Sequence, residues 1–282
     1  MTTEQRLPLW PARFDYEEFL AQWEDFHVGE KDVEQFLTSL TITKAQQAEI
    51  MSAAQRTPMW FKGRGNRLTA SNFGSVIGVN PHNSAKKALQ SMLWPTPFSC
   101  AATEWGQKYE DTAADLFSHV MKQKDPDFVK LSFPGLVVPL EKPWLGASPD
   151  AVVHFRNGKK KGLEIKCPFK KELYPYIPSY YYAQVMGTCG LLGLPSYYFE
   201  VWTPEKTRIE EYAFHKEYFW EILLPKMEEF YFLEFLPRAI LREKGVLKPG
   251  QLLPTDEVAG ADGEREVSRP LPPPDEAVDF IL

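Results

Sequence analysis

The sequence predicts an α/β fold, a central mixed sheet flanked by helices, on three observations. Ala151 to Phe155 and Leu163 to Lys166 read as strands on either side of Asn157-Gly158, a pair that favours a hairpin. Trp105, Tyr109, Ala113, Leu116 and Val120 recur at helical spacing and make one apolar stripe. A further helix holds Tyr182-Ala183-Gln184-Val185 and two glycines, Gly187 and Gly190, small enough to lie close on a sheet. It runs on into an aromatic strand, Tyr197 to Trp202.

The hairpin's turn decides what its ends can do. A two-residue Asn-Gly turn pairs Asp150 with Ile165 and sends Asp150 and Glu164 to opposite faces, because side chains alternate along a strand. A three-residue loop, Arg156-Asn157-Gly158 with Gly158 left-handed, pairs Asp150 with Glu164 instead. We expect the second register, or a bulge with the same effect, which also brings Lys166 to that face. Two carboxylates and an ammonium at one end of a hairpin suit Mg²⁺ beside a positive charge, the requirement for hydrolysing a phosphodiester. Charged alternation on a solvated strand is the plain alternative, so other elements carry weight. Trp60 to Arg64 leads into Leu68-Thr69-Ala70-Ser71, where Thr69 or Ser71 would cap a short helix through Val76. Free N–H groups, a hydroxyl and a nearby arginine suit a phosphate. Glu110 projects from the edge of the apolar stripe, so that helix can pack while offering a carboxylate.

In this order, the Arg64 to Ser71 segment ending in Thr-Ala-Ser, Trp105-Gly-x-x-Tyr109-Glu110, Asp150, Glu164-x-Lys166 and Tyr182-Ala183-Gln184 together resemble the phage lambda exonuclease family. These are the YqaJ-type viral recombinase nucleases of the PD-(D/E)xK superfamily, and the likeness covers roughly residues 56–215. It implies a restriction-endonuclease-like core at 56–243, between a helical acidic N-terminal extension (1–55) and a Pro-rich acidic tail (244–282). It implies that Asp150 and Glu164 hold Mg²⁺, for which Mn²⁺ substitutes, with the Ile165 carbonyl as a further ligand. Glu110 would bind the ion directly, through water or through a second ion. Lys166 would orient or help deprotonate the attacking water, Gln184 would position that water or Lys166, and Arg64 with Ser71 would receive a terminal 5′-phosphate. The implied activity is 5′-to-3′ exonuclease digestion of double-stranded DNA ends, leaving 3′ single strands for recombination or viral DNA processing. A single-strand annealing protein is the implied partner, and both monomers and rings are expected states. Two alternatives share parts of the pattern. A structure-specific endonuclease of the same superfamily needs Asp150, Glu164 and Lys166 but not the Arg64 and Ser71 pocket. A catalytically lapsed DNA-binding protein would be expected to have lost at least one of the acids, the lysine or the glutamine.

Charge and composition bound the remainder. The chain of 282 residues carries 32 Lys and Arg against 38 Asp and Glu, a balance unusual for a nucleic-acid binder. The acids concentrate at the ends: residues 1–40 hold 3 basic and 9 acidic residues, and 255–282 hold 2 and 8, which leaves 27 and 21 between them. Arg156 to Lys171 has seven basic residues, including Lys159-Lys160-Lys161, against Glu164 alone, and places positive potential beside the expected metal site. Helices are expected from about Tyr16 to Phe26, Val33 to Leu40 and Lys44 to Ala54. An apolar helix interrupted at Pro225 follows Tyr212, and Phe280-Ile281-Leu282 could dock into a groove. No apolar run approaches the roughly 20 residues of a membrane span, so an intracellular, soluble protein of the host cytoplasm or nucleus is expected. Cys100, Cys167 and Cys189 are odd in number and widely spaced, which argues for reduced thiols rather than a disulfide framework.

Overall fold

Helices open the chain: α1 (Tyr16–Trp23), α2 (Glu30–Leu40) and α3 (Lys44–Ser52). Asp15 starts α1 by accepting the Glu18 N–H, and Thr43 and Gln46 cap α3 reciprocally. Next come α4 (Pro58–Arg64), β1 (Leu68–Thr69), α5 (Phe73–Val76), α6 (Ala85–Leu93) and the long α7 (Ala101–Lys124). Strands β2 (Phe128–Ser132), β3 (Leu145–Gly146), β4 (Ala151–Phe155) and β5 (Lys160–Lys166) precede α8 (Ser179–Leu192), which leads to β6 (Ser196–Trp202) and β7 (Thr207–Ala213). The chain continues through α9 (Leu224–Glu228) and α10 (Leu236–Glu243) to β8 (Val278–Ile281). This computed structural model describes residues 9–96 and 99–254, and the backbone of 278–281. The Leu271-Pro-Pro-Pro274 stretch of the tail lies outside the described residues.

The main sheet has the order β2-β4-β5-β6-β7-β8. Its β5–β6 pair is parallel and the other pairs are antiparallel, so the sheet is mixed. A parallel pair needs a long crossover, and α8 supplies it. Strand β6 is buried along its whole length, as a central strand with helices on both faces must be. On one face α7 sets Ala113, Phe117 and Val120 against Ala151, Val153, Leu163 and Ile165. On the other, Tyr197, Phe199 and Val201 meet α8, the N-terminal helices and the C-terminal helical run. Each fully buried side chain such as Phe117 or Phe199 contributes on the order of 1.5–3 kcal/mol.

The N-terminal helices share this second core, with Trp10 edge-on to Phe232 at 5.5 Å. Buried Arg67 ties three segments by donating to the carbonyls of Leu40, Gly63 and Pro143 at 2.8, 2.9 and 2.8 Å. Two expectations are corrected. Gly187 and Gly190 make room for aromatic rings of neighbouring helices, not for the sheet: a Cβ there would lie 2.3 Å from Phe73 and 2.4 Å from Phe219. Pro225 does not interrupt its helix. Wide π-type turns at Tyr218–Leu223 and Glu229–Phe235 alternate with ordinary turns, and Pro225 and Pro237 each fall in the first turn after a wide one. The missing N–H and the ring cost least there. Among the described residues no helix is long and apolar enough to cross a membrane.

Candidate active site

The β4–β5 turn adopts the three-residue form. The Phe155 N–H donates to the Lys159 carbonyl at 3.1 Å and the Gly158 N–H to the Phe155 carbonyl at 3.0 Å, with Gly158 at φ +79°. That is left-handed backbone, which glycine tolerates without strain. Paired residues run from His154 with Lys160 to Ala151 with Leu163, so one further step sets Asp150 opposite Glu164.

Around that pair the side chains converge. The Asp150 carboxylate accepts the Ile165 N–H at 2.7 Å. Glu164 is 1% exposed. Its Oε1 accepts from the Lys166 ammonium at 2.5 Å and from the Gln184 amide on α8 at 2.6 Å. Its Oε2 is buried with no hydrogen-bond partner. The Lys166 ammonium also lies 4.5 Å over the Tyr181 ring. Along a strand the N–H and C=O of one residue point to the same edge, so the Ile165 carbonyl is directed toward the side occupied by Asp150.

Electrostatics follow from this crowding. Burial first, then the charges of Glu164 and Glu110, push the Asp150 carboxyl well above its ordinary value, against the pull of Lys166 and the Ile165 N–H. Burial opposes charge on Lys166, but Glu164, Tyr181 and Asp150 outweigh it and hold the amine protonated. An acid pushed up by burial and by a neighbouring carboxylate, and a buried carboxylate oxygen without a partner, are what a hard divalent cation relieves, and the oxygen donors suit Mg²⁺. The donor set therefore fits such an ion. Among the described residues no third His, Cys, Asp or Glu joins Asp150 and Glu164 in one cluster, so the donors at hand are this carboxylate pair and the Ile165 carbonyl. Glu110 is near enough for its charge to act on Asp150, yet its Oε2 accepts from Arg56 Nη2 at 2.8 Å.

Arg64 and Ser71 are also brought together. Arg64 ends α4, its Nη2 donates to Ser71 Oγ at 3.2 Å, and its guanidinium lies 4.4 Å over the Trp60 ring. Burial lowers the Arg64 pKa to about 10. Trp60 Nε1 donates to Ser148 Oγ at 2.9 Å, which links this pair to the loop that enters β4 at Asp150. Neither Thr69 nor Ser71 caps a helix, because Ala70–Asn72 forms a 3₁₀ turn with no side-chain cap and the Ser71 hydroxyl is engaged by Arg64.

The lysine run is a second correction. Lys159 to Lys161 lie toward the turn end of the hairpin, roughly 10 to 17 Å along the strand from the Asp150–Glu164 pair at about 3.3 Å per residue, and Lys161 is bound to Glu211 at 2.7 Å. Lys166, Lys170 and Lys171 follow in the chain from the acid end of the hairpin. Sequence reasoning also missed Arg56 and Gln55, whose amide donates to the Pro149 carbonyl at 3.0 Å. The available signal was their place just before the Thr57-Pro58 helix start. Glu200, buried with both carboxylate oxygens unpaired, was hidden inside an aromatic strand. The Cys167 thiol is pushed up to about 12, by burial above all, which removes it as a nucleophile.

Residues 59–191 match the YqaJ-like viral recombinase domain. Protein D345L of African swine fever virus (strain Badajoz 1971 Vero-adapted) is 25% identical over 169 residues, 50% of this chain and 47% of that protein. This chain thus spans about half the length of the curated relatives it matches. Among solved structures, the alkaline exonuclease LHK-Exo from Laribacter hongkongensis superposes with a TM-score of 0.51 at 20% identity, over 67% of this chain and 97% of that one. The same enzyme in complex with dAMP gives 0.52 at 20% identity, over 67% and 98%. The shared fold is the α/β, restriction-endonuclease-like core expected from the sequence.

Proposed function

We propose that this chain, whose residues 59–191 belong to the YqaJ-like, lambda exonuclease type, is a Mg²⁺-dependent deoxyribonuclease that digests double-stranded DNA from free 5′ ends and leaves 3′ single strands. The observation that carries the reading is Glu164: one oxygen gripped by Lys166 and Gln184, the other buried and unpartnered, opposite Asp150. Asp150, Glu164 and the Ile165 carbonyl would hold the ion, with Glu110 within reach once it leaves Arg56. Mn²⁺ would substitute. When bound, such an ion polarises the scissile phosphate and acidifies the attacking water.

The chain's own groups do the rest. Lys166, kept protonated, offsets charge on the phosphate and orients the water beside it. Gln184 fixes the Glu164 carboxylate, so that Oε1 serves the ammonium and Oε2 would be left for the ion. The Ile165 N–H holds Asp150 in one orientation. Arg64, stacked on Trp60, and Ser71 receive the terminal 5′-phosphate, and the Trp60–Ser148 bond keeps that pocket at a set distance from Asp150, which sets the register of cutting. A single-strand annealing protein would take up the exposed 3′ strand. The test is digestion of linear duplex labelled separately at each terminus, with and without 5′-phosphate, beside a closed circle. Release of 5′ label first, dependent on the phosphate, supports the reading. Cleavage of the circle would transfer the activity to an endonuclease.

A further inference from the structure

We propose that the loop after β5, residues 167–178, is a stacking platform for single-stranded DNA. This rests on the nuclease reading and names the strand that the site handles. Phe169, three residues past Lys166, is 51% exposed, and Tyr176 is 65% exposed. Leaving two aromatic rings in water on one short loop forgoes the burial that such rings ordinarily gain. The loop holds them firmly. The Lys171 N–H donates to the Pro168 carbonyl at 3.0 Å, with Lys171 itself left-handed at φ +58°. Arg208 donates to the carbonyls of Tyr174 and Pro175 at 3.1 and 2.7 Å, and Ile177 is buried beneath. Phe169 stands edge-on to Trp105 at 6.0 Å, and the Lys171 ammonium lies 5.1 Å over the other ring of that pair.

The charge beside these rings selects the occupant. Lys170 and Lys171 adjoin Phe169, with Glu172 the acid of this turn, and Lys166 lies at the loop's root. Exposed rings flanked by ammonium groups fit bases and the phosphates between them, whereas a duplex would present only backbone to the rings. The occupant is therefore an unpaired strand. Its phosphates lie against Lys170 and Lys171, and a base stacks on Phe169.

The experiment uses the full chain carrying Asp150→Asn, without divalent cation, and a short single-stranded oligonucleotide containing 2-aminopurine. Stacking quenches that base. Phe169→Ala should abolish most of the quenching and weaken binding about tenfold, while Phe169→Trp retains both. Lys170→Ala with Lys171→Ala should flatten the salt dependence of binding by about 0.7 of a log unit per lost phosphate contact. Unchanged quenching in Phe169→Ala overturns the platform, as does affinity lost equally for single-stranded and duplex oligonucleotides, since that marks a structural role. Digestion of linear duplex by the unaltered protein, run alongside, separates the two readings. Digestion without a Phe169 effect sinks only the platform, and a Phe169 effect without digestion sinks only the nuclease.

Discussion

At the scale of single residues, one carboxylate organises the site. Because Oε1 of Glu164 takes both the ammonium and the amide, removing either partner leaves the other to hold the carboxylate. Lys166→Met should therefore keep the fold, as read by circular dichroism, yet slow nucleotide release from linear duplex by about 10²–10³-fold, the usual cost of losing a preorganised charge partner. Arg56 has the opposite sign. Its guanidinium and a divalent ion would compete for Glu110, so Arg56→Gln should tighten Mn²⁺ binding severalfold in titration calorimetry and cost stability only about 0–1 kcal/mol, since the pair is partly exposed and screened by water. Unchanged affinity would mean that Glu110 takes no part in ion binding. The acids, the lysine and the arginine–serine pair were legible because each sits in a local pattern. Arg56 with Glu110, 54 residues apart, and Trp60 with Ser148, 88 apart, were not. Such partners meet only when separate elements fold together.

At the scale of elements, the three-residue turn is the decisive piece. Deleting Lys160, just past the turn, should keep the three-residue loop, advance the rest of β5 by one place, set Asp150 opposite Ile165 and turn Glu164 to the other face. The expected result is loss of hydrolysis with the strands retained, measured by duplex digestion and far-ultraviolet circular dichroism. Activity at the original level would show that the acids do not depend on register. Local chemistry at Arg156-Asn157-Gly158 made this pairing readable in advance, whereas the surroundings of α8 were not. Its glycines meet Phe73 and Phe219, rings contributed by elements far along the chain, and no periodicity in one helix reveals what its neighbour presents. Pro225 misled for a related reason. Its cost depends on the width of the preceding turn, which the sequence does not display.

At the scale of the whole molecule, charge burial makes stability depend on pH. Glu200 is raised well above its ordinary value by burial first and by Asp150 second. Between those two values the folded chain holds a proton that the unfolded chain has released, so stability falls as pH rises through that window. Glu200→Gln lacks this loss. Its midpoint of thermal unfolding should gain on the parent as pH rises above the ordinary glutamate range, and a constant difference would show Glu200 ionised or solvated. The sheet's two borders carry a different consequence. On β2 the register is broken between Phe128 and Lys130, a kink and a lysine that discourage docking by another chain. On β7 the cover is β8, a strand recruited from the far end of the chain. A protein cut after Pro254 would bare one border and leave the other kinked. Two such molecules could zip together by their β7 strands and then stop, so sedimentation should find a concentration-dependent dimer and no fibre.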